Sequence, residues 1–204
     1  PTGSRNGPIA KSFWGKAWCK HLEAFSDYEY RLPRGRSYVR NGAVVDLKIG
    51  PQIVTAMVNG AELYELSVNI DALDPEKWAA IKARCQGKIG SLVELLKGKL
   101  SDEIMSLVMD SEDGLFPKPQ EIHFNCNCPD WADMCKHVAA SLYGVGVRLD
   151  ESPELLFKLR GVDHTELITL GSAVSDLTKP KASRRRRTLD SAAVNDVFGL
   201  DLDD

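Results

Sequence analysis

Within twelve residues the chain sets out Cys126, Cys128, Cys135 and His137, three thiols and an imidazole in the order C-x-C-x6-C-x-H. Donors of this softness suit a tetrahedral zinc ion. In an extended segment the two cysteines of C-x-C project to the same face. The six-residue loop that follows contains Pro129 and lets the chain turn back. Cys135 and His137, at the start of a helix, then complete the tetrahedron. Four protein ligands leave no open position for water or substrate, so the expected cofactor is one structural Zn2+ and not a catalytic centre. The competing reading is three buried free thiols beside an unrelated histidine.

The other residues capable of chemistry are more weakly organised. Cys19-Lys20-His21 repeats the C-x-H triplet, but no second C-x-C supplies further ligands, and helical residues two apart diverge by about 200°. Cys19 is therefore expected in packing and His21 at the surface. Cys85 closes an apolar helix face, and His123 stands just before the cysteines as a surface residue. With five cysteines, three of them inside ten residues, the spacing is not that of a disulfide framework. No G-x-x-x-x-G-K-[ST] loop, H-E-x-x-H helix or zinc-deaminase signature occurs, so the chain is expected not to be an enzyme and to take no small-molecule substrate.

Charge is distributed unevenly along the chain. Residues 1–50 hold nine Lys/Arg against four Asp/Glu, whereas residues 188–204 hold five Asp and no base, beneath a net charge of −3. Arg31, Arg34, Arg36, Tyr38 and Arg40, leading into the first expected strand, form either a phosphate-neutralising, base-stacking patch or a solvated loop whose arginines pair with local carboxylates. In the first case Lys136, Lys11, Lys16 and Lys20 are further contacts, and the partner is DNA or another nucleic acid. In the tail, Arg184–Arg187 is a tether or a nonspecific phosphate contact. Val194, Val197, Phe198, Leu200 and Leu202, mixed with acids, are either a segment that folds onto a protein partner or a frayed terminus.

The string Cys126-Asn127-Cys128-Pro129-Asp130-Trp131, followed by Cys135-Lys136-His137-Val138-Ala139-Ala140, resembles the SWIM zinc finger, with Cys126, Cys128, Cys135 and His137 on its four ligand positions. Phe13–Trp18, Arg34–Gly42 and Leu155–Gly161 extend the resemblance to bacterial SWIM proteins, some of which accompany Swi/Snf-type helicases, over residues 11 to 161. The resemblance implies nucleic-acid or protein binding without enzymatic activity. The leading expectation is an accessory factor of such a helicase. The alternative is a pure protein-interaction adaptor.

The elements that must position these residues follow from periodicity. Residues 13–25 read as an amphipathic helix with Phe13, Trp14, Trp18, Leu22 and Phe25 on one side and Lys16 and Lys20 in water. From Ala43 the period becomes two. Val45, Leu47 and Ile49, then Val54, Ala56 and Val58, then Tyr64, Leu66, Val68 and Ile70 predict a three-stranded antiparallel meander broken at Gly50-Pro51 and Asn59-Gly60. Asp74-Pro75 opens a helix with Trp78, Ile81 and Cys85, followed by two more carrying Ile89, Leu92, Val93 and Leu96, and Ile104, Leu107 and Val108. These are expected to cover one face of the meander. A strand from Glu121 to Asn125 delivers Cys126, a helix from Cys135 carries Val138, Leu142, Val145 and Leu149, and shorter helices follow to Leu159 and to about Leu177.

The fold class is thus α+β, a meander with packed helices and a small ββα-like zinc finger at residues 121–149. The globular region is expected over residues 11–177, with a flexible tail at 178–204. At 204 residues and 43% apolar content the chain can build its own core, and it lacks any run long enough for a membrane helix. Pro1 stands where an initiator Met would, so Pro1–Ala10 are given no weight. The expected location is the cytoplasm.

Overall fold

The computed structural model describes residues 7–25 and 30–168. The expected helix to Leu177 is described only to Ile168, where Asp163 accepts from Thr165 N–H at 2.9 Å, and the tail at 178–204 with its Val194, Val197, Phe198, Leu200 and Leu202 segment lies outside the described residues.

The protein is α+β, with a four-stranded antiparallel sheet in the order β1 (Val44–Gly50), β2 (Ile53–Asn59), β3 (Leu63–Ile70), β4 (Ile122–Cys126). The first three strands are the expected meander. The fourth adds to it because β4 pairs antiparallel with β3, from Ile70 opposite Ile122 to Leu66 opposite Cys126. The ββα-like unit around the cysteines therefore takes β3 from the meander, and is continuous with the main sheet.

One phase of the strand pattern differs from expectation. A bulge between Val44 and Asp46 inserts an extra residue into β1. It reverses the alternation ahead of it, so Val44 packs on the core with Leu47 and Ile49 while Val45 is 58% exposed. In β2 and β3 the expected inward residues Val54, Ala56, Val58, Leu66, Val68 and Ile70 are all buried.

The helices are α1 (Phe13–Glu23), α2 (Leu32–Arg40), α3 (Pro75–Cys85), α4 (Leu92–Leu96), α5 (Asp102–Val108), α6 (Lys136–Glu151) and α7 (Glu154–Leu159). The helix laid across the sheet is α6, in contact with all four strands, with α7 beside β1. The helices α3 to α5, expected in that place, pack instead at its flank, α3 against α5 and, through Trp78, against Phe157 of α7. The reason lies in side-chain size. α6 carries Ala139, Ala140, Ser141, Gly144 and Gly146 among its large residues, and every residue from His137 to Gly146 is buried. Small residues let neighbours approach on opposite sides. A Cβ on Gly144 would lie 3.1 Å from Leu47 of the sheet, and one on Gly146 would lie 2.7 Å from Cys19 Sγ of α1.

α1 follows the sequence closely. Ser12 caps it, accepting from Gly15 N–H, and Trp14, Ala17, Trp18 and Leu22 are buried while Lys16 and Lys20 face water. Both indole N–H groups find carbonyls, Trp14 donating to Leu95 O at 2.9 Å and Trp18 to Leu142 O at 2.8 Å. Buried rings of this type need such partners for their polar end.

Leu32–Arg40 is a helix with Arg31 as its N-cap, so neither a loop nor an extended approach to β1, as the sequence alternatives had it, is what the run forms. Pro33 sits in the first turn, where its missing N–H costs nothing, and Leu32, Gly35 and Val39 form the buried stripe against α6. Gly35 is required by that contact, because a Cβ there would lie 2.5 Å from Ala139 Cβ and 2.7 Å from the Ala139 carbonyl carbon.

The end of α7 fastens the sheet from outside the site. Arg160, 1% exposed, donates to Asp71 O at 2.7 Å and to Glu121 Oε1 at 3.1 Å, so the residues after β3 and before β4 are held to one guanidinium. Among the described residues no helix is long and apolar enough to cross a membrane.

Replacing Gly35 with Ala must push α2 away from α6, and the expected cost is about 1–3 kcal/mol in urea unfolding. Ser37→Ala, on the exposed side of the same helix, is expected to stay within about 0.5 kcal/mol of wild type.

Candidate metal centre and basic face

β4 ends at Cys126, and the next residue extends the ladder by a side chain. Asn127 N–H donates to Glu65 O at 3.2 Å while its Oδ1 accepts from Glu65 N–H at 3.1 Å. This clamp, which the cysteine pattern alone does not reveal, fixes the backbone between Cys126 and Cys128. Cys135 is the N-cap of α6, its Sγ accepting from Val138 N–H at 3.5 Å. A helix N-terminus favours negative charge on such a sulfur.

One ligand atom from each of Cys126, Cys128, Cys135 and His137 lies within 4.8 Å of the others, and Cys135 Sγ to His137 Nδ1 is 3.8 Å. Metal–sulfur bonds of about 2.3 Å and metal–nitrogen bonds of about 2.0–2.1 Å give tetrahedral edges of roughly 3.5–3.8 Å, so small side-chain rotations close the set around one ion. The four residues can hold a metal, and together they fill a tetrahedron without help from water.

His137 is steered by rings. Tyr64 of β3 stacks on it at 4.4 Å and 26°, and Tyr38 of α2 meets it edge-on at 5.6 Å. Nε2, the nitrogen turned from Cys135, is buried without a hydrogen-bond partner, and a Cβ on Gly60 would approach it to 2.9 Å. Ring contact, in place of the usual carbonyl or carboxylate partner, sets the orientation.

Without metal, burial pushes the Cys126 thiol up to about 12 and raises Cys135, so both sulfurs hold their protons at neutral pH. Burial and then the Lys136 charge lower His137, which keeps its imidazole neutral and ready to coordinate. A metal entering the cluster must displace thiol protons, and acid returns them, so affinity falls as pH falls.

The remaining sites separate into two groups. α2 divides the basic run, because Arg31, Arg34 and Tyr38 fall on the flank toward the metal loop and Arg36 and Arg40 on the opposite flank toward α1. Arg31 pairs with Asp130 at 2.9 Å, pinning the metal loop to α2, and Asp130 also accepts from Ala132 N–H. Lys136 lies 5.5 Å over the Tyr38 ring. Arg34 is exposed.

On the α1 side, Arg36 and Arg40 join Lys16 and Lys20 around a cleft of about 340 Å³, with Glu23, Cys19 and Tyr143 also lining it. Arg36 binds Glu23 and the Tyr143 hydroxyl, Arg40 donates to Gly7 O at 2.5 Å, and Arg40 Nε is buried without a partner. Lys11 is exposed, its backbone N–H on Asp150. Glu23 and Tyr143 were not among the sequence candidates, although Lys16, Lys20 and Glu23 stand at helical spacing on α1.

Cys19 packs against α6, its thiol raised to about 12 by burial, and Cys85 is buried. His21 departs from the surface place expected of it. It is half-buried between Phe25 and Phe116, with a ring nitrogen 2.8 Å from Pro117 O. His123 is exposed and 3.1 Å from Asp71.

The fold and the cluster define an α+β protein whose sheet and central helix share a Cys3His cluster that could hold a metal ion. The chain is similar to the uncharacterized protein Rv2102 of Mycobacterium tuberculosis, 32% identical over 183 residues. The match covers 88% of this chain and 66% of that protein, so the chain spans just under two thirds of its relative's length. No family model matches, and no solved structure matches.

Purified protein is expected to carry one equivalent of metal by elemental analysis and to lose it on acidification. Cys128→Ser or Cys135→Ser should abolish stoichiometric binding, while Cys85→Ala should leave it at one.

Proposed function

We propose that the chain is a non-catalytic zinc-finger protein of the SWIM type that binds nucleic acid through the basic face of α1 and α2. The observation that carries this reading is the joining of Lys16, Lys20, Arg36 and Arg40 around one cleft, whose only carboxylate among the described residues is that of Glu23. Four cations converging on a concave surface can take phosphate oxygens, and the guanidiniums add directed donors.

The zinc is structural on this reading. Three thiolates and an imidazole saturate tetrahedral zinc and leave it no site for a reacting group. Structural zinc in finger peptides contributes roughly 10–16 kcal/mol, so its role is to hold the start of α6 to the end of β4. A position beside a Swi/Snf-type helicase rests on the resemblance of the cysteine motif and its flanks, and concerns a protein whose relative is longer than this chain.

A protein-interaction adaptor is the second reading. The pairing of Arg31 with Asp130 and of Arg36 with Glu23 favours it, since each pair removes a cation from those free to meet phosphate.

Anisotropy of a labelled oligonucleotide across a salt series separates the two. Lys16→Gln, Lys20→Gln and Arg40→Gln combined are expected to weaken binding and to flatten the log–log salt slope by about 2, at roughly 0.7–0.9 per lost phosphate contact. No binding to single- or double-stranded DNA or RNA at low salt leaves the adaptor.

A further inference from the structure

Two aromatic side chains of the described residues stand almost wholly in solvent. Trp131 is 92% exposed and Tyr30 is 88% exposed. They are far apart in sequence, and the Arg31–Asp130 ion pair, 2.9 Å long, joins their immediate chain neighbours. The loop carrying Trp131 is not a free arm. Cys128 and Cys135 bracket it, Met134 is buried beneath it, and Asp130 ties it to α2. A loop tied down at both ends has its backbone ordering largely settled before any partner arrives, and it carries the indole uncovered.

We infer that Trp131, with Tyr30 across the Arg31–Asp130 ion pair as a second exposed ring, is a stacking platform for unpaired bases, so that the nucleic acid engaged by the basic face is single-stranded. This rests on the nucleic-acid reading above and narrows it. Exposed Arg34 lies on the same flank of α2 as Arg31, and Lys136 begins α6 just after Cys135 and sits over Tyr38 of that flank, so this side of α2 carries cations as well. The basic cleft lies on the other flank. An α-helix with its side chains is about 10–12 Å across, a distance that roughly three nucleotides cover at 3.4 Å each. A strand can therefore lay phosphates in the cleft, cross α2 over Arg34 and present bases to the rings. In a duplex the base faces are covered by their neighbours and cannot reach an indole face.

A protein partner is favoured less. Binding hot spots of Trp, Tyr and Arg sit within a surround that excludes water. The other exposed residues of the metal loop are Pro129 and Asp133, which supply no such surround.

Tryptophan fluorescence tests the platform directly, since Trp14, Trp18 and Trp78 are buried and contact quenching reports on Trp131. Titrating the full chain with oligo(dT) at low salt should quench emission saturably, and a blunt duplex of the same length should not. Trp131→Ala should lose roughly 5- to 150-fold in oligo(dT) affinity by anisotropy, and Trp131→Phe should keep most of it. Metal content at one equivalent in both variants shows the loop intact. Unchanged affinity in Trp131→Ala, or equal quenching by the duplex, overturns the platform. If the Lys16, Lys20 and Arg40 variant is nonetheless weakened, nucleic-acid binding itself stands. Absence of any nucleic-acid binding at low salt overturns both and leaves the rings to a protein partner.

Discussion

The complete burial of α6 is the constraint on which the other elements depend. Ten consecutive residues, His137 to Gly146, are covered, so this helix must be enclosed on every side: by the sheet, by α1 and by α2. Enclosure at close range demands small residues at the crossings, and the chain supplies Gly35, Ala139, Gly144 and Gly146 where backbones or large side chains meet. The N-terminus of such a helix is a difficulty, since its first amide groups need partners while the surroundings exclude water. Here Cys135 caps it with sulfur, and the same sulfur belongs to the ligand cluster. Helix capping and metal binding are thus one local arrangement.

That arrangement also shapes the electrostatics. Arg31 pairs with Asp130 of the metal loop, and Tyr38 lies between the His137 ring and Lys136, so two residues of the metal-side flank of α2 hold the cluster while Arg34 of the same flank stays exposed. The opposite flank has a different balance. Arg36 is shared between Glu23 and Tyr143, while Lys16 and Lys20 stand exposed at the cleft. One short helix thus separates the flank that anchors the cluster from the flank that lines the cleft.

Much of this was legible in the sequence because the signals were local. The four ligands, the strands from Val54 to Ile70, the Asp74-Pro75 start of α3 and the apolar stripe of α6 all announce themselves within a few residues. What escaped was long-range or hidden in small residues. α2 was not recognisable because its buried stripe is Leu32, Gly35 and Val39, and a glycine carries no apolar signal although it makes the closest contact. The bulge at Val44–Asp46 is visible only in the pairing with β2, and it misplaced Val45. Addition of β4 to the meander required knowledge that Ile122 lies opposite Ile70, across fifty residues of intervening helices. Asn127 looked like a spacer between cysteines, and its work is done by partners on another strand.

β4 occupies the edge of the sheet, and among the described residues nothing pairs with its outer side. It has only five residues, with Arg160 fixing the chain just before it through Glu121 and the ligand cluster fixing its far end. An edge strand anchored at both ends resists peeling, but one released at the cysteines exposes the rim of β3, whose Leu66, Val68 and Ile70 are apolar. Exposed rims of this kind recruit strands from other molecules. Whatever holds the four ligands together at the end of β4 therefore also keeps that rim covered, so the cluster's position at the sheet edge ties the site to the sheet's resistance to self-pairing.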